Sequence, residues 1–253
     1  MTPIERLIAM AAAEIGYLEK ATNAQLDDKT ANAGHGDWTK YARDLDALGV
    51  YNGKKNGYAW CDMFVDWCFI QTFGLEKAVE LLCGIYYGAG CLASANYYKE
   101  KGRYHTDGPQ AGDQVFFLNS SGRIGHTGIV VEVSGGKLWT IEGNTSSLPG
   151  VVDNGGCVRK KSYSLTYARL AGFGRPDYSI IKDTEEEEST MPIYKTLEAV
   201  PDSYRPTIEK LMKAGALVGY EDPDPAKLTD NVINVDETYC RVMTSLDRLG
   251  KLG

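Results

Sequence analysis

Three observations predict an α+β fold. Residues up to about 102 carry apolar side chains at helical spacing, and residues from 113 onward break into short β-rich runs between glycine and polar turns. The third is an absence: no βαβ alternation and no internal repeat links the two halves. The expected architecture is a group of N-terminal helices packed on an antiparallel sheet, followed by a small, mostly helical C-terminal module.

The first helix is expected over 3–20, where Ile4, Leu7, Ile8, Ala11 and Ile15 recur on one face. Glu5 and Arg6 within it mark an amphipathic helix rather than the apolar core of an export signal, which predicts a cytoplasmic chain. Further helices are expected over 37–48, 61–73, 76–83 and 94–102, the last ending at Gly102. The strand runs are "QVFFL", "TGIVVEV", "KLWTIEG", "GCVRKKSYS" and "ARLAGFGRP".

Of 253 residues, 43% are hydrophobic and 24% charged, the balance of a globular protein, and no apolar run approaches a membrane span. A net charge of −7 argues against a nucleic-acid partner. Residues 1–180 hold 18 basic against 19 acidic side chains, 181–190 hold 1 against 5, and 191–253 hold 8 against 10. The excess therefore sits in "IKDTEEEEST", whose carboxylates repel one another and anchor no core. This predicts a domain over 1–180, an acidic linker over 181–190 and a module over 191–253. Helices at about 203–215 and 234–249 flank the turn "AGALVGYEDPDP" of that module.

Six cysteines at irregular spacing, with no C-x-x-C and three histidines, fit neither a disulfide framework nor a zinc site. Cys61 follows the turn-forming "YNGKKNGY" and precedes Phe64, Val65, Cys68, Phe69 and Phe73 at helical spacing. It therefore occupies the first turn of a buried helix, where free N–H groups and the helix dipole favour a thiolate. Cys68, on the apolar stripe, reads as a small core residue.

His35 and His105 lie in polar loops, whereas His126 opens the strand "HTGIVVEV", which turns at "SGG" into "KLWTIEGNTS". With a three-residue loop at 134–136, His126 faces Asn144, Gly128 faces Glu142 and Val130 faces Thr140. One sheet face then carries His126, Thr140, Glu142 and Asn144. The other, buried face carries Ile129, Val131, Val133, Trp139 and Ile141. A one-residue slip would bring Glu142 and Thr140 onto the apolar face, which a buried face forbids. A carboxylate beside an imidazole fixes its tautomer and leaves the other ring nitrogen to take a proton from a thiol.

The set of a helix-start cysteine, "PQAGDQVFF", "GHTGIVVEV" and "IEGNTS" resembles the CHAP domain (cysteine, histidine-dependent amidohydrolase/peptidase), a relative of the NlpC-type peptidases, over about residues 1–178. The resemblance implies a papain-like α+β fold with Cys61, His126, Glu142 and Asn144 as the active site. It also implies amide hydrolysis in bacterial peptidoglycan, by an N-acetylmuramoyl-L-alanine amidase or an endopeptidase, commonly as a bacteriophage endolysin released from the host cytoplasm through holin pores.

Some CHAP domains bind calcium just before the cysteine; this chain has "NGKKNGYAW" there. No cofactor is expected, since Asp27, Asp28 and Asp37, the carboxylates nearest to such a role, read better as turn and cap residues. The segment "IEKLMKAGALVGYEDP" resembles S-layer-homology segments and small wall-binding ends of endolysins, without their usual Thr-Arg pair. The 191–253 module is accordingly expected to bind cell wall, to self-associate, or both. Met191, after "EEEEST", is a candidate start for a separately translated copy. A cytoplasmic thiol protease and a catalytically idle wall-binding protein remain the rival readings.

Overall fold

The computed structural model describes residues 1–87, 90–152, 154–181, 194, 196–214, 235 and 237–248. The chain divides into two compact units, Met1–Asp183 and Thr184–Gly253. The proposed linker beyond residue 181, the turn of the C-terminal module and Met191 lie outside the described residues. Among the described residues no helix is long and apolar enough to cross a membrane.

In the first unit five helices precede the main sheet: α1 (Pro3–Ala13), α2 (Lys40–Leu48), α3 (Cys61–Phe73), α4 (Leu75–Leu81) and α5 (Cys91–Glu100). Six strands follow: β1 (Tyr104–His105), β2 (Gln114–Leu118), β3 (Ile124–Ser134), β4 (Lys137–Thr145), β5 (Cys157–Ser164) and β6 (Leu170–Gly174). They form one antiparallel sheet in the order β1-β6-β2-β3-β4-β5. The α+β reading holds.

Helix α1 starts on a capping box between Thr2 and Glu5 with Pro3 in its first turn. It ends at Ala13, not at residue 20. Gly16 at φ 91° turns the chain out of the helix, and Leu18 and Lys20 bridge to Cys157, Ala33 and Trp38 instead. Helix α5 begins three residues earlier than the sequence suggested, at Cys91.

Helix α3 is the centre of the unit. Every residue from Cys61 to Ile70 is buried, because α1, α2, α4, α5 and the β3–β4 hairpin pack around it. Tyr41, Trp60, Phe64, Phe69, Ile129 and Ile141 belong to this main core. Each large apolar side chain so buried contributes roughly 1.5–3 kcal/mol relative to exposure. A second cluster, Val115, Phe117, Val130, Leu138, Tyr163 and Phe173 among them, is also buried. The sheet is thus covered on both faces around β3 and β4.

In the second unit α6 (Arg205–Lys213) and α7 (Glu237–Arg248) enclose Val200, Ile208, Leu211, Val235 and Cys240. Asp247 accepts from Thr207 Oγ1 at 3.0 Å and from Lys210 Nζ at 2.6 Å, tying the two helices together.

Candidate active site

Cys61 is the first residue of α3 and only 4% exposed. Trp60 before it provides no side-chain cap, so the first N–H groups of the helix are left to other partners. One of them, the N–H of Asp62, donates to the Cys61 sulfur. The indole Nε1 of Trp60 donates to Glu19 Oε2 at 2.9 Å and anchors the helix start from the other side.

His126 and Glu142 are both fully buried and meet through Nε2 and Oε2 at 2.9 Å. Two glycines permit this arrangement. A Cβ on Gly128 would stand 2.6 Å from Glu142 Cγ, so glycine leaves the room the carboxylate occupies. A Cβ on Gly143 would stand 2.5 Å from Phe64 Cβ, so glycine lets α3 lie directly on β4.

The expected register is present at the site but arises differently. The hairpin turns on two residues, Gly135 and Gly136, both at left-handed φ (55° and 72°), rather than on three. Ser134 then pairs with Lys137 and Glu132 with Trp139, one residue out of the anticipated phase. An extra residue at Val131 restores it, and Val130 pairs with Thr140 and Ile129 with Ile141. Ile129 and Ile141 are buried in the main core, whereas Val131 and Trp139 are half-buried and Val133 is exposed. The bulge accounts for that looser outer half.

Glu142 is held by more than the histidine. Thr140 Oγ1 donates to its Oε1 at 2.5 Å and Tyr163 OH to its Oε2 at 3.1 Å. Thr140 follows from the face assignment. Tyr163 on β5 does not, because the pairing of β4 with β5 spans a loop whose length hides the register.

With Glu142 on Nε2, the ring proton is fixed there and Nδ1 is left to accept. Nδ1 is buried and makes no close hydrogen bond, and Cys61 is, with Glu142, the group that raises the ring. The contact is looser than that with Glu142, as thiol–imidazole contacts often are before substrate arrives. Its electrostatic effect is strong. Hydrogen bonding from Cys91, then from His126 and the Asp62 N–H, holds the Cys61 thiol well below its ordinary value against the opposing effect of burial. Burial works against a charged His126, but Cys61 and Glu142 outweigh it and raise the ring to about 10. Both directions favour the thiolate–imidazolium form of the pair.

Asn144 is fully buried but is not joined to His126. Its backbone adopts φ 51°, a left-handed conformation, where strand alternation assumes extended backbone. Its Oδ1 accepts from Gly156 N–H at 3.2 Å, and its Nδ2 is buried without a partner. Asn144 ties the loop entering β5 to the end of β4.

Two residues near the thiol carried no signal in the sequence reading. Cys91 Sγ lies 3.5 Å from Cys61 Sγ. Asp62 is buried and accepts from Ser94 Oγ at 2.8 Å, Gly90 N–H at 3.2 Å and Gln114 Nε2 at 3.3 Å. Burial, with the charge of Cys61, raises Asp62 to about 7. Cys91 opens α5 after Gly90 just as Cys61 opens α3, and placing the start of α5 correctly would have singled it out.

Asp27 is paired with Arg43 through two 2.8 Å contacts, and Asp28 accepts from the N–H groups of Thr30 and Ala31. Asp37 is raised chiefly by burial and shares hydrogen bonds with Glu19 and Asn154. Among the described residues no group of three or more His, Cys, Asp or Glu side chains is arranged to hold a metal ion.

The family model described as CHAP domain matches residues 53–144, a stretch that includes Cys61, His126 and Glu142 and ends on Asn144. No curated protein matches the chain. Among solved structures the chain is similar to the one titled "The crystal structure of Ly7917", with 16% identity and a TM-score of 0.40. The match covers 70% of this chain and 63% of that one, so the chain spans less than two thirds of its length.

Proposed function

We propose that this chain, which carries a CHAP domain of α+β, papain-like fold, is a thiol-dependent peptidoglycan hydrolase of the bacteriophage endolysin type. Amidase cleavage at the N-acetylmuramoyl-L-alanine bond and endopeptidase cleavage use the same groups. The observation that carries the reading is the buried set of Cys61, His126 and Glu142, poised as an ion pair.

The cycle follows from that geometry. The Cys61 thiolate attacks the carbonyl carbon of a wall amide, and the developing oxyanion meets the Cys61 backbone N–H at the start of α3. His126, protonated at rest, gives its Nδ1 proton to the departing amine while Glu142 keeps Nε2–H in place. Neutral His126 then takes a proton from water, which releases the acyl group from sulfur and restores the pair. Asn144 serves this cycle by holding the loop at Gly156 rather than by touching the ring.

Residues 191–253 are assigned to wall attachment, with self-association through the same segment, and the chain to release from the host cytoplasm. The resemblance to endolysins supports these assignments. Incubation with purified Gram-positive cell walls is the deciding experiment. New free amines without cleavage of added protein are the expected result. Cleavage of casein without wall release would favour a thiol protease, and binding without release an idle wall-binding protein. No cofactor enters the cycle. Chelation and dialysis are expected to leave wall release unchanged, and a loss restored by calcium would assign an ion to the chain.

A further inference from the structure

The cycle above needs one sulfur, and the site holds two. Cys61 and Cys91 are 30 residues apart in sequence yet their Sγ atoms lie 3.5 Å apart, at the first residues of α3 and α5. Both are nearly closed to solvent, 4% and 6% exposed. Their protonation differs. Cys91 is held well above its ordinary value, first by its hydrogen bond to Cys61 and then by burial, so it remains a thiol that donates to the Cys61 thiolate. A reactive thiolate touching a protonated neighbour is the arrangement in which oxidation ends in a disulfide rather than in over-oxidation.

We propose that Cys91 is the resolving thiol of the nucleophile: under a peroxide, Cys61 and Cys91 close into a reversible disulfide that removes the nucleophile from the reaction. The chemistry balances with hydrogen peroxide as the oxidant. The Cys61 thiolate attacks one peroxide oxygen, the O–O bond breaks, and the departing hydroxide takes a proton to become water. Cys61 is left as a sulfenic acid. Cys91 then gives up its proton and attacks the Cys61 sulfur, the S–O bond breaks, and the oxygen leaves as a second water. The two thiols lose two electrons and the peroxide gains them. The sulfurs must close from 3.5 Å to roughly 2.05 Å. Cys68, on the same helix, is spared because burial keeps it protonated and it is 0% exposed.

Formation of the disulfide rests on the sulfur contact alone; its effect on wall hydrolysis rests on the function proposed above. Reduced protein is treated with an equimolar amount of hydrogen peroxide, alkylated and mapped by mass spectrometry. The expected result is a loss of about 2 Da with a Cys61–Cys91 linked peptide. Wall release should fall in proportion to the linked fraction and return with dithiothreitol. In Cys91→Ala and Cys91→Ser two equivalents of peroxide should add about 32 Da at Cys61, with a loss that dithiothreitol does not reverse. Absence of the linked peptide, or full recovery of both variants under dithiothreitol, overturns the proposal. A linked peptide in a reduced protein that never released wall fragments would uphold the disulfide and overturn the hydrolase reading.

Discussion

The start and the interior of helix α3 each place a cysteine in a buried environment and obtain opposite results. At the start, Cys61 is pulled toward thiolate by Cys91, His126 and the Asp62 N–H. Two turns on, Cys68 lies in the main core, and burial drives its thiol well above its ordinary value. Desolvation acts on both in the same direction. The difference is made by donors, chiefly the Cys91 and His126 side chains with the Asp62 N–H at the helix start, and no such donor acts on Cys68. Burial therefore says little about the reactivity of a thiol until its hydrogen-bond donors are counted.

The sharpest way to break the comparison is to exchange the two thiols for other side chains. Cys61→Ser is expected to lower wall release by at least about a thousandfold without loss of fold by circular dichroism. Cys68→Ala should cost about 1–2 kcal/mol in denaturant unfolding and leave kcat near the parent value. Inactivity of a folded Cys68→Ala protein would mean that the wrong cysteine of the helix has been assigned.

Removing the support of the imidazole should give the next largest effect. Glu142→Gln keeps the shape but loses the charge that stabilises imidazolium, and a fall of roughly 10²–10⁴ in kcat/KM is expected. Alkylation of Cys61 by iodoacetamide at pH 6 should slow in the same variant, because the thiol is then less ionised. Unchanged alkylation would show that Cys91 and the helix start hold the thiolate without His126.

The pH profile tests the pair directly. His126 sits above its ordinary 6.5, so its proton persists through neutrality and is lost only as pH rises through about 10. Cys61 sits below its ordinary 9.0, so the thiolate is lost only as pH falls through that lowered value. The kcat/KM profile should be a broad plateau across neutrality with its alkaline limb near 10. A maximum confined to pH 8–9 would indicate an unpaired thiol.

The smallest effect concerns Asp62, which burial and the charge of Cys61 raise to about 7. Its charge appears as pH rises through that value, next to the Cys61 sulfur, so a shallow inflection is expected there. Asp62→Asn should remove the inflection and leave the limbs in place. An inflection that survives belongs to another group.

Much of this was legible because short-range rules suffice for it. Turn chemistry followed by a helical apolar stripe located Cys61, and the apolar face of the β3–β4 hairpin put His126 and Glu142 together on its other face. What escaped depended on contacts between distant segments. Cys91 reaches Cys61 only because two helices converge, and Tyr163 reaches Glu142 only through the β4–β5 register. Asn144 escaped for a local reason, since period-two alternation assumes extended backbone and φ 51° is not extended. The early end of α1 has a similar origin in Gly16.

The extra residue at Val131 has a mechanical consequence for anyone altering the molecule. It stands between the exposed Gly135–Gly136 tip and the pair Val130–Thr140, where the hairpin becomes buried. A ladder with a bulge is compliant at that point, because the unpaired residue can shift before neighbouring hydrogen bonds are stretched. Distortion introduced at the tip by a spliced peptide, a dye or a fused partner is absorbed there. The tip is thus a port for cargo, insulated by one residue from the carboxylate that steadies the imidazole.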